Sequence, residues 1–195
     1  METNNYQKKI ELVKYAAKEL TPKLPYHNFR HETEVYLASA RLADLENVDD
    51  ERRFLLKTAA LLHDIIYVIG RNDNEERSAE FAREYLPKIG YLGKQAEEVG
   101  ELILATKMPQ TPKNLHEKII CDADLNVLGR DDFFRWNKKL RNELVIQEGA
   151  GWYRGQIEFF KSHQYHTESA RRLRGEGKKR NIEKLKRLAG GRLKC

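Results

Sequence analysis

The sequence predicts an all-α fold, a helical bundle in a single domain, on three observations. Apolar residues recur at three- and four-residue spacing along nearly the whole chain, which is the mark of one-sided helices. No run of alternating β-branched residues is long enough to make a strand. Only five prolines interrupt the pattern, and no Gly/Ser-rich linker or low-complexity tract divides it. With 195 residues, 34% charged and 40% hydrophobic, the chain can build one sizeable core. The domain is expected to span 1–195, with core motifs in 26–129 and C-terminal helices at 132–190 packed on it.

Taken in order, residues 4–20 place Ile10, Val13, Ala17 and Leu20 on one face. TPKLPYHN (21–28) stops that helix with two prolines and offers Asn28 as the N-cap of the next. Residues 29–46 then carry the stripe Val35, Ala38, Leu42 and Leu45. Asp49 or Asp50 caps a helix reaching to about Ile66. GRNDNEERS (70–78) reads as a loop leading into a helix at 75–86 that ends before Pro87. A helix at 93–107 is stopped by MPQTP, and an apolar helix at 114–128 ends at Gly129. Asp131 or Asp132 caps another helix, to roughly 148. GAG (149–151) is a break, and 152–162 and 167–189 are helical.

Several function classes are set aside by the same reading. The longest apolar runs (LILA, AALL, KII) are too short to span a bilayer, and the N-terminus lacks the apolar region of a secretory signal. Cys121 and Cys195 lie far apart, so a disulfide framework is not expected and a cytoplasmic location is. The net charge of +6 is concentrated in the last 25 residues, RRLRGEGKKRNIEKLKRLAGGRLKC. A solvated amphipathic helix accounts for it; nucleic-acid binding is left open, without a recognition motif.

The chemistry is concentrated in AALLHDII (59–66), which sets His63 and Asp64 inside an apolar run. Burying ionisable groups costs several kcal/mol (roughly) unless they are partnered. In a helix over 50–66, His63 shares a face with Leu56, Ala59 and Ala60, and Asp64 lies about 100° round from it. His31 opens the helix whose stripe is Val35–Ala38–Leu42. Asp124, in KIICDADLNVLG, has Ile120, Cys121, Val127 and Leu128 at i−4, i−3, i+3 and i+4, whereas Asp122 faces a mixed surface and suits an outer, supporting or capping role. Three helices thus bring His31, the His63–Asp64 pair and Asp124 to inward faces. One divalent cation (Mn, Fe, Co, Ni, Zn or Mg) reconciles them, since two His and two Asp do not suit a cysteine-rich structural zinc site. Cys121 is assigned to packing.

This order, H…HD…D, resembles the HD superfamily of metal-dependent phosphohydrolases. YHNFRHETEV (26–35), AALLHDIIY (59–67), NEERSAEFA (74–82), ILAT (103–106) and CDADLNVLG (121–129) are similar to the successive blocks of its small HD-type hydrolase branch, and FFKSHQYHTESARRLRGEGKKRNIEKLKRL (159–188) is similar to that branch's tail. The resemblance implies an HD-domain helical bundle in which His31, His63, Asp64 and Asp124 bind the metal. KMPQTP stands where some relatives place a further His, which argues against a second metal built from extra histidines. Ile65, Ile66 and Tyr67 follow the HD pair where the guanosine-tetraphosphate hydrolase branch has Glu-Asp, so that substrate is disfavoured.

The expected activity is hydrolysis of a phosphate ester, on a nucleotide or related small molecule, by a metal-activated water. Monoester and diester remain equal choices. Asp64 both ligates the metal and orients the water. Glu75 and Asp73 are candidates for proton transfer, with helix capping as their alternative. Lys107, Arg71, Arg30 and Arg130 are candidate phosphate partners. His27, four residues before His31, is a candidate supporting residue or a plain rim residue. His116, His163 and His166 are assigned structural or exposed roles, and Tyr67, Trp136 and Trp152 core roles. The alternative to an enzyme is a catalytically inactive helical module that binds metal or nucleotide. Homo-oligomerisation is left open.

Overall fold

Helix boundaries in this chain follow its caps. In the computed structural model, which describes residues 2–190, α1 (Glu2–Leu20) ends at the proline-bearing turn. Asn28 then accepts from the backbone N–H of Arg30 and His31 to start α2 (Phe29–Leu45), and its amide donates to the Leu24 carbonyl at 2.7 Å. The Asp49 carboxylate accepts from Arg52 N–H at 3.0 Å to open α3 (Asp50–Leu62). Next come α4 (Asn74–Tyr85), a 3-10 turn at Leu86–Ile89 that contains Pro87, α5 (Gly93–Ala105) and α6 (Leu115–Asp124). No strand occurs among the described residues, so the fold is all-α as expected.

The chain divides into two compact units, Met1–Asp124 and Leu125–Cys195. In the first, α3 is the central helix, with α1, α2, α5 and α6 packed on it. Its apolar residues run all the way round, and Leu55, Leu56, Leu61 and Leu62 are each 1% exposed or less. Each such leucine contributes about 1.5–3 kcal/mol through burial. Two expected core positions are instead open: Leu20 is 54% and Leu45 39% exposed, each the last residue of its helix.

The second unit starts with a 3-10 turn at Leu125–Gly129, followed by α7 (Phe133–Glu143), α8 (Ala150–Ser162) and α9 (Glu168–Ala189). Leu128, Phe133, Ile157, Phe160 and Leu185 form its core. A Cβ on Gly177 would stand 1.9 Å from the Gly129 carbonyl oxygen, so backbone meets backbone where α9 crosses the turn. Asn181 donates from its amide to the carbonyls of Leu128 and Arg130 at 2.9 and 2.8 Å, which secures the same crossing.

Three sequence-derived boundaries are corrected. The helix expected to reach Ile66 ends at Leu62, leaving His63 as its C-cap. The helix expected over 114–128 is α-helical only to Asp124, then tightens to 3-10 geometry. The helix expected to reach 148 stops at Glu143, since Val145 takes a left-handed conformation (φ 54°) that a helix cannot contain. Asp132 does stand at the N-cap of α7, but its carboxylate is taken by Arg130 and the Trp136 indole rather than by the helix backbone. No helix among the described residues is long and apolar enough to cross a membrane. Cys195 and the rest of the tail at 191–195 lie outside the described residues.

Candidate metal centre

Side chains from α2, from the end of α3 and the turn after it, and from α6 meet in the first unit. His31 sits in the first turn of α2, placed there by the Asn28 cap. His63 follows the last residue of α3, and its Nδ1 lies 2.9 Å from the Ala60 carbonyl oxygen. A carbonyl can only accept, so Nδ1 carries the proton and Nε2 is left to face the site. Asp124 is the last residue of α6.

The Nε2 atoms of His31 and His63 are 3.2 Å apart. Asp64 Oδ2 lies 3.2 Å from His63 Nε2 and 3.5 Å from His31 Nε2. Asp124 Oδ1 lies 3.6 and 3.4 Å from the same two nitrogens. Donor atoms of His31, His63 and Asp124 all fall within 4.8 Å of one another. Side chains of His31, His63 and Asp64 are nearly buried, and that of Asp124 is 17% exposed.

Burial opposes charge on every one of these groups, yet the carboxylates ionise more readily than usual. Desolvation pushes Asp64 and Asp124 up, but the His63 charge and the imidazole hydrogen bonds outweigh it, holding Asp64 well below the carboxylate range and Asp124 at about 2. Burial likewise works against the His63 imidazolium, but the Asp64 charge and the hydrogen bonds it donates to both aspartates hold its pKa well above the ordinary 6.5. His31 goes the other way, because burial prevails there. His31, His63 and Asp124 therefore offer two imidazole nitrogens and an anionic oxygen to one point, and Asp64 approaches both imidazoles from beside that group. Around a first-row divalent ion with bonds of about 2.1 Å, neighbouring ligand atoms stand about 3.0–3.4 Å apart, and the separations here suit such an ion. Cys121 is unsuited as a ligand: burial drives its thiol pKa far up, and its Sγ donates to the Ala105 carbonyl.

The other candidates divide. Glu75, in the first turn of α4, is half-buried, and burial with the Asp64 charge raises its carboxyl pKa. Asp73 and Arg71 grip one another through two bonds of 2.6 and 2.5 Å on the exposed loop. Lys107 is ion-paired with Glu76, and its ammonium also feels the charge of Glu75. Arg30 is exposed on α2. Arg130 belongs to the second unit, where it forks onto Asp132 at 2.8 Å. His27 stacks on Tyr67 (centroids 3.6 Å apart, 18° between planes) and meets the His31 ring edge-on at 5.8 Å. Asp122 is buried on α6 beside Cys121 and is not one of the converging donors. His116, His163 and His166 are partly buried outside the cluster; Trp136 is core, while Tyr67 and Trp152 are only partly covered.

The family model that matches this chain is the HD domain, over residues 28–125, a span that holds all four converging residues. The chain belongs to the HD-domain family. As an HD domain it has solved relatives of the same fold. One is Bacillus subtilis YpgQ in complex with ADP: 20% identity, TM-score 0.73, 95% of this chain and 96% of that one covered. Another is a predicted HD superfamily hydrolase from an uncultured Thermotogales bacterium: 24% identity, TM-score 0.58, with 94% and 91% covered. At those identities the likeness is one of fold. No curated protein matches the chain.

Three features of this HD domain escaped sequence reasoning. Gln110 donates to Asp124 Oδ2 at 3.3 Å from a loop whose sequence has no periodicity to read. Glu32 is wholly buried beside His31, with Thr21 Oγ1 donating to its carboxyl at 2.8 Å. Its spacing from the buried Val35 and Ser39 was the available signal. Asn74 clasps both backbone groups of Val68, at 3.0 and 3.1 Å, and Ser78 those of Ile66, at 3.2 and 3.3 Å. The chain leaving the HD pair is thereby fixed to α4.

Proposed function

We propose that this HD domain is a metal-dependent phosphohydrolase that cleaves a phosphate ester of a nucleotide or related small molecule. The observation that carries the reading is the convergence of His31 Nε2, His63 Nε2, Asp64 Oδ2 and Asp124 Oδ1, with neighbouring donors 3.2–3.6 Å apart. One divalent ion held by these four would supply a Lewis acid for the phosphoryl group and an acidified water as nucleophile. The Ala60 carbonyl fixes the His63 tautomer, and the Gln110 amide steadies the outer oxygen of Asp124. Asp64, beside both imidazoles, would help to hold the ion and orient the water.

Glu75 is the proton carrier in this scheme. Its raised pKa lets it keep a proton nearer to neutrality than an exposed glutamate does, and so deliver one to the departing oxygen. Asp73 is a poorer donor, because Arg71 holds its carboxyl below the usual range. Lys107, beside Glu76 and Glu75, is the best-placed cation for phosphate within the first unit. The ADP in the crystal of Bacillus subtilis YpgQ supports a nucleotide as the substrate class.

Metal analysis of the purified chain, followed by a panel of phosphomonoesters, diesters and nucleotides with Mn, Co, Ni and Mg, tests the proposal. His63→Ala and Asp64→Ala are expected to lose metal affinity by more than about 100-fold and all turnover, with far-UV circular dichroism unchanged. Wild-type metal content in either variant would refute the ligand set. Metal binding and nucleotide-induced stabilisation with no turnover anywhere in the panel would make the domain a binding module instead.

A further inference from the structure

The second unit contains a groove of about 220 Å³ whose lining includes Phe134, Lys138 and Arg141 from α7, Tyr153 from α8, Lys184 from α9, and Glu148 from the segment between α7 and α8. Its floor is fixed: the Trp152 indole donates to Asn137 Oδ1 at 2.8 Å, and the Asn137 amide donates to Gln156 at 2.5 Å. Arg141 is sunk in it, with its side chain only 11% exposed, and meets Glu148 at 2.9 Å. The Tyr153 hydroxyl also donates to the Glu148 carboxyl.

Two donors, Arg141 and Tyr153, therefore meet one carboxylate. Tyr153, Arg141 and Lys138 together hold the Glu148 carboxyl below its usual range. That carboxylate is 59% exposed and rides on the irregular Leu144–Gly149 stretch, where Val145 is left-handed and 89% exposed. Lys138 and Lys184 have no carboxylate partner among the described residues; the Lys184 ammonium rests 4.2 Å from the Phe134 ring centroid. Three cations against one carboxylate leave two positive charges unanswered over partly apolar walls. Such a surface favours an anion with more charge than a single carboxylate brings.

We propose that this groove is a binding site for an oligophosphate anion, gripped by Arg141, Lys138, Lys184 and the Tyr153 hydroxyl, with Glu148 as a built-in competitor that the anion displaces. The site lies wholly in the second unit and shares no residue with the metal centre. Glu148 mimics the ligand at an effective concentration set by a short loop, so the groove fills only when the anion outcompetes it.

Calorimetric titration of pyrophosphate into the full-length, chelator-treated chain tests this. Glu148→Gln is expected to tighten binding about two- to fivefold, the worth of one exposed ion pair. Lys138→Ala and Lys184→Ala are each expected to weaken it about tenfold, the worth of one charge-assisted bond, while His63→Ala leaves it unchanged. Lys138, Lys184 and Glu148 are surface-facing, so their replacement does not endanger folding. Inorganic phosphate should bind more weakly than pyrophosphate. Equal or weaker binding by Glu148→Gln, or wild-type binding by both lysine variants, would overturn the proposal. So would a loss of binding in His63→Ala, which would place the anion at the metal centre.

Discussion

Glu32 is the buried group whose removal makes the sharpest prediction. It is 0% exposed, and burial raises its carboxyl pKa to about 8 despite the Thr21 hydroxyl and the His63 charge, which favour ionisation. In the unfolded chain the same carboxyl ionises near 4.5. Between these two values the folded state holds a proton that the unfolded state has released, so folding takes up a proton and stability falls as pH rises. The slope is about 1.4 kcal/mol per pH unit, and the penalty levels off above pH 8 at no more than about 5 kcal/mol. Glu32→Gln keeps the shape and an acceptor for Thr21 but cannot ionise. Urea unfolding of the metal-free protein, at constant ionic strength from pH 4.5 to 8.5, compares the two chains. Expected is near-equal stability at the acid end and a gap widening in favour of the variant by several kcal/mol (roughly, within that bound) at pH 8.5. Parallel profiles, or a variant less stable at pH 8.5, would refute the assignment of a protonated buried carboxyl.

Two other outcomes follow from the geometry. Because the His63 imidazole holds its proton well above pH 6.5 in the metal-free site, an incoming cation must displace that proton. Affinity for Mn or Zn should therefore fall as the pH drops below the raised His63 pKa, by up to about tenfold per pH unit; calorimetry showing a flat profile between pH 8 and 5 would contradict it. In α9, two glycines should respond with opposite sign. Gly177→Ala drives a Cβ to 1.9 Å from the Gly129 carbonyl, and overpacking of about 1–3 kcal/mol outweighs the helix-propensity gain. Gly175→Ala has open space around it and should stabilise by up to about 1 kcal/mol. Thermal or urea unfolding of both variants reads the contrast.

How much of this was legible in the sequence depends on whether a local rule decides the feature. The helices were, because the caps at Asn28 and Asp49 and the 3.6-residue periodicity act within a few residues. The meeting of His31, His63, Asp64 and Asp124 was also anticipated, since polar groups on apolar faces must find one another inside. Pairings set by packing were not. Glu76 lies on α4 and Lys107 in the bend after α5, and nothing in either sequence neighbourhood announces their ion pair. The same holds for Gln110 on Asp124 and for the Asn74 and Ser78 clasps on Val68 and Ile66.

The most instructive departure is the end of α3. In a continuous helix, side chains at 63 and 64 would diverge by about 100°. The helix instead stops at Leu62. His63 takes the C-cap with its Nδ1–H on the Ala60 carbonyl, answering one of the acceptors that every helix end leaves open. Just beyond the helix end, the Asp64 carboxylate lies 3.2 Å from His63 Nε2. A single imidazole thus closes the helix with one nitrogen and presents the other to the site. The adjacency of His and Asp in the sequence is useful because the helix ends just before them and Asn74 and Ser78 hold the chain that follows in place.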